Sequence, residues 1–422
     1  MTIIGIDDTD SRTMGMCTTY VGHMIAEELK ESYNASVERV LLIRLNPAAK
    51  FKTRGNASVA IHTDADLDTA YDVTEQFLSK FSVTEDENTN PGAVITDQDN
   101  ISEEVTNWTN RAMHTLLDIE EAEEIIENQG FKSLKFGNGR GRIGSLAAIG
   151  AWEQFTDWTY ESISYRYPEP RGTKREVNAE SVVNAANKYH PKVWDTVDRT
   201  QGDIVCVPHT PCPILHGVRG DEREAVENVS MEIDGEPVES QQTFVTNQGT
   251  DVHLKEEKLE NVENDSAYTI EGVVTKEPYT KEGGHVFFEV GNEDGETLSV
   301  AAFEPTKHFR DRVRNLREED ELTLCGGVTD GTLKLEKFRV NSLNTTKLEN
   351  PQCEKCNRSM SSMGANQGYR CRSCKDTQES KVEVSIDRNL EEGWYEVPPC
   401  ARRHISKPLL RMDTDKKTHP ST

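Results

Sequence analysis

The chain has 422 residues and a formal net charge of −26, from 74 acidic and 48 basic side chains. This length predicts several domains, and no run of about 18 apolar residues is present to form a membrane-spanning helix. The first residues enter a strand pattern without the basic stretch and apolar core of a signal peptide, so we expect a cytoplasmic protein. Such an acidic surface keeps a protein soluble in strong salt, so we favour a halophile's salt-rich interior over an ordinary acidic protein.

An acidic stretch follows the first predicted strand, which begins at Thr2. Its carboxylates stand between that strand and a helix pattern; they are Asp7, Asp8 and Asp10. In α/β folds, ligands bind at the carboxyl ends of strands, close to the N-termini of the following helices. Crowded carboxylates repel one another unless a cation is present, and their oxygen atoms suit Mg²⁺. We therefore predict a metal and nucleotide site here; the alternative is an acidic turn that caps the helix.

Strand and helix patterns alternate through residue 130, which indicates an α/β domain. The predicted strands cover residues 2–4, 37–46, 57–62 and 93–96, and the predicted helices cover residues 18–29, 67–81, 102–117 and 118–128. A capping signal precedes the third helix, and a turn over residues 50–56 joins the second and third strands.

A glycine-rich stretch precedes an apolar helix pattern over residues 143–149. The stretch contains Gly137, Asn138, Gly139, Arg140, Gly141 and Arg142, followed by Gly144. Glycines let backbone N–H groups approach phosphate oxygens, and arginines pair with phosphates. The spacing is neither that of a P-loop nor that of a dinucleotide-binding fingerprint. We interpret the stretch as the second wall of a phosphate site; the alternative is an entry loop for the helix.

A proline-rich loop over residues 209–220 is the next candidate site. It follows predicted strands over residues 160–167 and 203–207 and a helix over residues 181–189. Its candidate ligand-binding residues are His209, Thr210, Pro211, Cys212 and Arg219. A Cys/His nucleophile pair would lack an activating third group, and a zinc site would be short of ligands. We therefore favour a substrate-binding loop.

The segment over residues 222–265 is acidic and weakly patterned, and a domain boundary is expected near its end. Five strand patterns follow, over residues 268–276, 285–290, 297–303, 321–328 and 332–340, with a helix pattern over residues 306–316. Five strands with a helix after the third fit an OB-fold, which binds single-stranded nucleic acid; other small barrels fit nearly as well. Four aromatic residues are stacking platforms or, as we favour, core residues; they are Phe287, Phe288, Phe303 and Phe338.

Four of the nine cysteines form two close pairs, separated by fourteen residues; they are Cys353, Cys356, Cys371 and Cys374. This spacing predicts one tetrahedral Zn²⁺ with no open position, and hence a structural zinc ribbon. An odd cysteine count with such a cluster indicates a reducing cytosol. Most of Cys17, Cys206, Cys325 and Cys400 are expected to be buried small residues. Basic side chains in the ribbon fit phosphate contact, and residues 379–422 are predicted to be a basic tail, disordered or solvated.

The order of these parts resembles the archaeal tRNA-isoleucine 2-agmatinylcytidine synthetase (TiaS) family. The resemblance covers residues 1–375 and rests on GIDDTDS, GMCTTY, GNGRGRIGSLAAIG and PHTPCPILHGVRG, followed by the barrel and the ribbon. It implies a multidomain α/β and α+β protein. The implied parts are a kinase-like catalytic domain (1–130), a ferredoxin-like agmatine-binding domain (131–255), an OB-fold (266–345), a zinc ribbon (350–378) and the tail (379–422).

The resemblance implies an ATP-dependent tRNA-modifying ligase. Such an enzyme joins agmatine to carbon 2 of the wobble cytidine in the CAU anticodon of an isoleucine tRNA, so that the base reads AUA in place of AUG. ATP would first phosphorylate the cytosine carbonyl oxygen, which is otherwise a poor leaving group, and agmatine would then displace phosphate.

The resemblance also implies roles for single residues. Asp7, Asp8 and Asp10 would serve phosphoryl transfer, the first two as Mg²⁺ ligands, and Thr18 would be the autophosphorylated threonine. Residues 137–142 would hold ATP phosphates, residues 209–212 and Arg219 belong to the agmatine side, and the barrel and zinc ribbon would grip the tRNA.

Two other functions remain open at this point. A non-catalytic tRNA or single-strand binding protein could be built on the barrel and ribbon, although it would have no use for three crowded carboxylates. A small-molecule kinase with a nucleic-acid-binding module is the second, and ATP turnover without tRNA would favour it. The oligomeric state does not follow from the sequence.

Overall fold

A computed structural model describes residues 1–49 and 55–421 of the chain. Most of the turn predicted over residues 50–56 therefore lies outside the described residues. The first elements are β1 (Thr2–Asp7), α1 (Thr18–Tyr33), β2 (Val37–Arg44), β3 (Ala57–Thr63), α2 (Leu67–Phe81), β4 (Gly92–Thr96), α3 (Glu103–His114), α4 (Ile119–Gln129), β5 (Lys132–Lys135), α5 (Gly141–Ile149) and α6 (Ala151–Gln154). They agree with the predicted alternation of strands and helices.

Local signals explain where several of these helices begin and end. Helix α2 begins after Asp66, whose side chain accepts hydrogen bonds from the N–H groups of Asp68 and Thr69. Ser102 caps α3 in the same way, as predicted. Helix α1 continues past its predicted end until Asn34, which adopts a left-handed conformation with φ of 54°.

The next elements continue the same sheet. They are β6 (Thr159–Arg166), α7 (Ala179–Tyr189), β7 (Val193–Trp194), β8 (Val197–Asp198), β9 (Asp203–Ile204), β10 (Ile214–Gly220), α8 (Arg223–Glu232) and β11 (Val238–Thr246). Nine strands form one sheet in the order β5-β4-β1-β3-β2-β11-β6-β10-β7. Its pairs are antiparallel except for β2 with β11, which run parallel and join the two halves.

The acidic segment after residue 222 contributes a helix and a strand to this half of the fold, although its sequence pattern is weak. Helix α8 packs its buried Ala225, Val226 and Val229 against the sheet. Strand β11 lies between β2 and β6, and buries Phe244. The strand has polar residues over much of its length, so an apolar alternation is missing from the sequence although the strand is paired on both sides.

Helices cover both faces of the first half of the sheet. Along β1, Ile4 and Ile6 join a core with residues of α1 and α2, whereas Ile3 joins a second core with residues of α3, α4 and α5. A strand buried on both faces reads as a continuous apolar run, which is why β1 is visible in the sequence. No helix within residues 1–49 and 55–421 is long and apolar enough to cross a membrane.

A closed five-stranded barrel follows, as predicted. After β12 (Leu254–Glu256), its elements are β13 (Ser266–Thr280), β14 (Val286–Gly291), β15 (Thr297–Ala302), α9 (Phe309–Arg314), β16 (Glu321–Thr329) and β17 (Thr332–Ser342). The strands pair in the closed order β13-β14-β15-β17-β16-β13. Phe288 and Phe338 are core residues, as favoured, whereas Phe287 and Phe303 are partly exposed.

The remaining strands belong to the cysteine-rich module and the C-terminal segment. They are β18 (Thr346–Glu349), β19 (Ser361–Ser362), β20 (Tyr369–Arg370), β21 (Thr377–Gln378), β22 (Val382–Ser385), β23 (Gly393–Glu396) and β24 (Thr418–His419). Strand β23 pairs with β17 of the barrel, and β24 pairs with β23.

The prediction of a disordered or solvated tail over residues 379–422 is therefore wrong for much of that segment. Arg402 is buried and forms ion pairs with Asp195 and Glu396, the latter at 2.8 Å. Arg411 pairs with Asp157 at 3.1 Å and with Asp221 at 2.5 Å. Most of these acidic partners lie beside the nine-stranded sheet, which a count of charges along the chain does not reveal.

Candidate active site

A cavity of about 720 Å³ lies between the two halves of the nine-stranded sheet. The acidic motif, the start of α1, the end of β2 and the start of α5 line one side. Glu161 and Ile163 of β6, and the segment from Pro208 to Ile214, line the other. The cavity therefore brings together residues from all four sequence motifs.

The acidic motif turns sharply at the end of β1. Asp8 has φ of 59°, a left-handed conformation that Asp adopts more readily than most residues. Its backbone N–H donates to Asp7 Oδ1 at 2.7 Å, and its Oδ2 accepts from the Asn90 N–H at 3.1 Å and from Arg140 Nη2 at 2.9 Å. This geometry holds Asp7, Asp8 and Asp10 along the same cavity wall.

Two of the crowded carboxyl groups are difficult to ionise. Burial raises the pKa of Asp7 well above its usual value, and the Asp8 carboxylate adds to the rise. Burial also raises the pKa of Asp8, although the Arg140 guanidinium opposes this rise. A hard divalent cation relieves such crowding, and carboxylate oxygens are the ligands that Mg²⁺ prefers. The donor set of Asp7, Asp8 and Asp10 fits this ion.

The glycine-rich stretch allows α5 to approach the acidic motif closely. A Cβ atom on Gly144 would lie 1.9 Å from Asp7 Oδ2, and one on Gly141 would lie 2.7 Å from the Asp7 carbonyl oxygen. A Cβ atom on Gly5 of β1 would similarly lie 2.2 Å from the Ser145 carbonyl oxygen. A side chain at any of these positions would force the neighbouring atoms to move. The glycines are therefore required for packing, whatever they also do for phosphate.

The other residues of this stretch have different surroundings. Arg140 lines the cavity. Arg142 is buried and ion-paired with Glu123, and its Nε donates to the Gly139 carbonyl oxygen at 3.3 Å. Asn138 accepts a hydrogen bond from the Arg140 N–H at 2.9 Å. The cavity is not lined by the other three glycines of the stretch, which are Gly137, Gly139 and Gly141.

Thr18 stands at the start of α1, beside the acidic motif. Its side chain is buried against the cavity, and the Thr9 hydroxyl donates to Thr18 Oγ1 at 3.1 Å. Cys17, at the N-cap of the helix, also lines the cavity and is buried. The predicted juxtaposition of a hydroxyl with three carboxylates is thus present.

The segment predicted as a loop over residues 209–220 is a loop only in its first part. Residues 214–220 form β10, where the buried His216 has its pKa lowered to about 4 by desolvation. His209, Thr210 and Cys212 line the cavity, and the Pro211 carbonyl oxygen packs on the Gly15 turn.

Arg219 lies on β10, behind the cavity wall. Its Nε donates to Glu161 Oε1 at 3.2 Å, and Glu161 itself lines the cavity. Within the described residues, Cys212 Sγ accepts from Arg175 at 3.3 Å and has no histidine partner. The alternative of a Cys/His nucleophile pair therefore gains no support.

Arg175 is a functional candidate that the sequence did not reveal. Its guanidinium donates to the carbonyl oxygens of Pro208 (2.7 Å), Thr210 (2.9 Å), Cys212 (3.0 Å) and Ile214 (2.7 Å). One side chain thus fixes every second residue of the segment that lines the cavity. Because Arg175 lies far from this segment in sequence, no local signal predicts the contact.

The four cysteines predicted to bind zinc lie together. Their sulfur atoms all lie within 4.8 Å of one another, with Cys353 and Cys371 buried. Backbone N–H groups of Cys374 and Ser373 lower the pKa of Cys371 to about 6, which favours the thiolate that a metal requires. Four thiolates at such distances fit tetrahedral Zn²⁺. Of the other predicted cysteines, Cys17, Cys206 and Cys325 are buried, and Cys400 is exposed.

Models of three protein-family domains match this chain. The TiaS TCKD domain matches residues 3–138, the TiaS FLD domain matches residues 139–253, and the TiaS C-terminal zinc ribbon domain matches residues 350–390. The chain belongs to the TiaS family. The isoleucine-tRNA 2-agmatinylcytidine synthetase TiaS of Haloquadratum walsbyi is 45% identical to it over 461 residues, covering 100% of both chains.

Solved structures of this family extend over nearly the whole chain. The complex of TiaS with its isoleucine tRNA and ATP has a TM-score of 0.89 and 40% identity, covering 99% of this chain and 98% of that one. The complex of TiaS with the same tRNA, AMPCPP and agmatine has a TM-score of 0.86 and 38% identity, with coverage of 99% and 98%. The similarity therefore includes the barrel, the ribbon and the C-terminal segment.

Proposed function

We propose that this chain is an ATP-dependent ligase that joins agmatine to carbon 2 of the wobble cytidine of the CAU-anticodon isoleucine tRNA. The observation that carries the proposal is the single cavity shared by the acidic motif and the segment from Pro208 to Ile214. It occurs in a chain that resembles, end to end, TiaS structures solved with an isoleucine tRNA, ATP and agmatine. A cavity with two chemically different walls suits a reaction in which an activated base meets an amine.

The reaction needs two steps because a cytosine carbonyl oxygen is a poor leaving group. In the first, the C2 oxygen attacks a phosphoryl group of ATP, the P–O bond that joins this group to the rest of ATP breaks, and the new O–P bond makes the C2 oxygen part of a phosphate leaving group. In the second, the neutral amine of agmatine attacks carbon 2, the C–O bond breaks, phosphate departs, and the new C–N nitrogen loses one proton to solvent. The anticodon that carries the modified base then pairs with the codon AUA in place of AUG.

We assign the first step to the kinase-like half, residues 1–130, and to its acidic motif. Asp7, Asp8 and Asp10 would hold Mg²⁺, which when bound neutralises charge on the transferred phosphoryl group. The Thr18 hydroxyl lies on the same wall and is the proposed autophosphorylation site. Arg140 is the residue of the 137–142 stretch that we expect to contact ATP phosphates, because its side chain lines the cavity, whereas Arg142 lies outside the cavity lining and pairs with Glu123.

We assign agmatine binding to the ferredoxin-like half, residues 131–255. His209, Thr210 and Cys212 would contact the amine substrate directly, and Pro211 would fix the segment against the Gly15 turn. Arg219 would act through Glu161, which it holds in the cavity wall.

The barrel has the strand order of an OB-fold, and we propose that it binds the tRNA together with the zinc ribbon. Tyr279 and Phe287 stack with ring centroids 6.1 Å apart, and Lys281 Nζ lies 4.0 Å from the Phe287 ring centroid. Partly exposed aromatic rings with lysines above them suit bases and phosphates of nucleic acid. The target cytidine would turn out of its stack to reach the cavity.

A ligation assay tests the proposal against both alternatives. Purified protein in molar KCl would receive ATP, Mg²⁺, labelled agmatine and unmodified CAU-anticodon tRNA, followed by nucleoside mass spectrometry. We expect label in the wobble cytidine that depends on ATP. Tight tRNA binding without label would favour a binding protein, and ATP turnover without tRNA would favour a small-molecule kinase.

A further inference from the structure

The C-terminal segment after the zinc ribbon returns to the cavity described above. Residues 391–422 lie outside all three matched domain models. The N–H of Gly249 donates to the His404 carbonyl oxygen at 2.9 Å, and the N–H of Asp251 donates to the Ile405 carbonyl oxygen at 3.1 Å. The backbone at His404 is therefore attached to the segment that follows β11.

Charged side chains hold the backbone of this segment on both sides of His404. On one side, Arg402 is ion-paired with Asp195 and Glu396. On the other, the Lys407 N–H donates to Asp251 Oδ1 at 2.7 Å. These two anchors lie within six residues of each other. They fix the backbone at His404 and therefore hold this residue in the cavity wall.

The His404 ring is part of the cavity wall. It lies deep in the protein, but the cavity lined by Asp7, Glu161 and Cys212 leaves it accessible to solvent. Within residues 1–49 and 55–421, its ring nitrogens have no hydrogen-bond partner. The positive charge of Arg219, then burial, then the charge of Arg44 lower its pKa well below the usual value. The ring is therefore neutral, with one nitrogen available as an acceptor.

Building on the proposed function, we propose that His404 contacts the amine substrate and accepts a hydrogen bond from it. Agmatine carries an ammonium group and a guanidinium group, which offer only donors before the amine is deprotonated. The cavity wall must therefore supply acceptors. Glu161 is one, but Arg219 and Gln248 already donate to it. A neutral imidazole provides a further acceptor and adds no positive charge beside a cationic substrate.

Steady-state kinetics of His404→Ala and His404→Gln test this role. We expect His404→Ala to raise the KM for agmatine about tenfold or more, since a hydrogen bond to a charged group is lost. The KM values for ATP and tRNA should stay within about twofold of the wild-type values. His404→Gln keeps an acceptor and should recover most of the agmatine affinity. The matched control is His419→Gln in the same segment, whose ring stacks on Tyr395 at 4.3 Å.

Three outcomes would overturn the inference. An unchanged agmatine KM in His404→Ala would remove the contact. A rise in the tRNA KM alone would assign the ring to the nucleotide, and an equal loss for all substrates with a lower Tm would make it structural. Failure of the wild-type protein to attach agmatine would instead refute the proposed function, so the two failures are distinguishable.

Discussion

The acidic motif and the segment from Pro208 to Ile214 face the same cavity but are built in different ways. The acidic motif takes its reactive groups from residues that are close in sequence, at the end of β1 and directly after it. The second wall is held by Arg175, which binds four of its carbonyl oxygens from a distant position in the sequence. A site made of neighbours is visible in a sequence, whereas one held by a remote side chain becomes visible only in the fold.

Asp8→Asn is expected to have the largest effect, because it changes the acidic wall itself. Asn tolerates the left-handed backbone at this position (φ of 59°), so the fold should persist. Loss of the carboxylate removes a proposed metal ligand, and we expect ligation to fall about 10³-fold or more. Filter binding should show tRNA affinity close to wild type.

Asp99→Asn is the control for this variant, since the Asp99 side chain is 88% exposed at the surface. If Asp8→Asn lost tRNA binding together with activity, the acidic motif would have a structural role.

Gly144→Ala sharpens the comparison by disturbing the acidic wall without replacing any of its carboxylates. The new Cβ atom would lie 1.9 Å from Asp7 Oδ2, so the carboxylate or helix α5 must move. A displacement of about 1 Å at a reacting centre costs about 100-fold in rate, and we expect a loss of that order in kcat. Activity near wild type would show that the position of Asp7 is not critical.

Cys371→Ser tests the ribbon, away from both walls. Removing one of four thiolates should release zinc and unfold this small module. We expect tRNA affinity to fall about tenfold through lost phosphate contacts, with zinc content measured by elemental analysis. Cys400→Ser, outside the cluster, should keep its metal. Unchanged zinc in Cys371→Ser would rule out the four-cysteine site.

Arg175→Lys should have the smallest effect, confined to the second wall. A lysine ammonium has three donors on a flexible stem and cannot reproduce four bonds from a planar guanidinium. We expect the KM for agmatine to rise about fivefold while the KM for ATP is unchanged. The surface variant Arg223→Lys provides the control. A matching rise in both KM values would mean that Arg175 holds the whole cavity and not one wall.

Much of the first half of the fold follows from its sequence. Helix α2 covers residues 67–81, as its pattern predicts, because Asp66 caps it and one face is apolar. The five barrel strands and the zinc cluster are likewise specified by short stretches of sequence. Such features depend on periodicity, turn residues and spacing within a short stretch.

The prediction of a loop over the whole of residues 209–220 was wrong because the prolines that indicated a loop end at Pro213, and the glycines that follow have a packing role in β10. A Cβ atom on Gly217 would lie 2.7 Å from Glu161 Oε1, and one on Gly220 would lie 2.4 Å from the Lys192 carbonyl oxygen. Glycine there allows β10 to pack closely and does not mark a turn. Likewise, the basic residues of the C-terminal segment look solvated in the sequence, but Arg402 is neutralised in part by Asp195, which is distant along the chain.

The transfer of one oxygen atom tests the central claim most directly. A transcript of the CAU-anticodon isoleucine tRNA carrying ¹⁸O at the C2 carbonyl of the wobble cytidine would be incubated with the protein, ATP, Mg²⁺ and agmatine. If that oxygen is phosphorylated and then displaced by the amine, mass spectrometry will find ¹⁸O in inorganic phosphate, in proportion to the modified nucleoside. Modified nucleoside without ¹⁸O in phosphate would contradict the phosphorylated intermediate, and with it the shared role of the two walls.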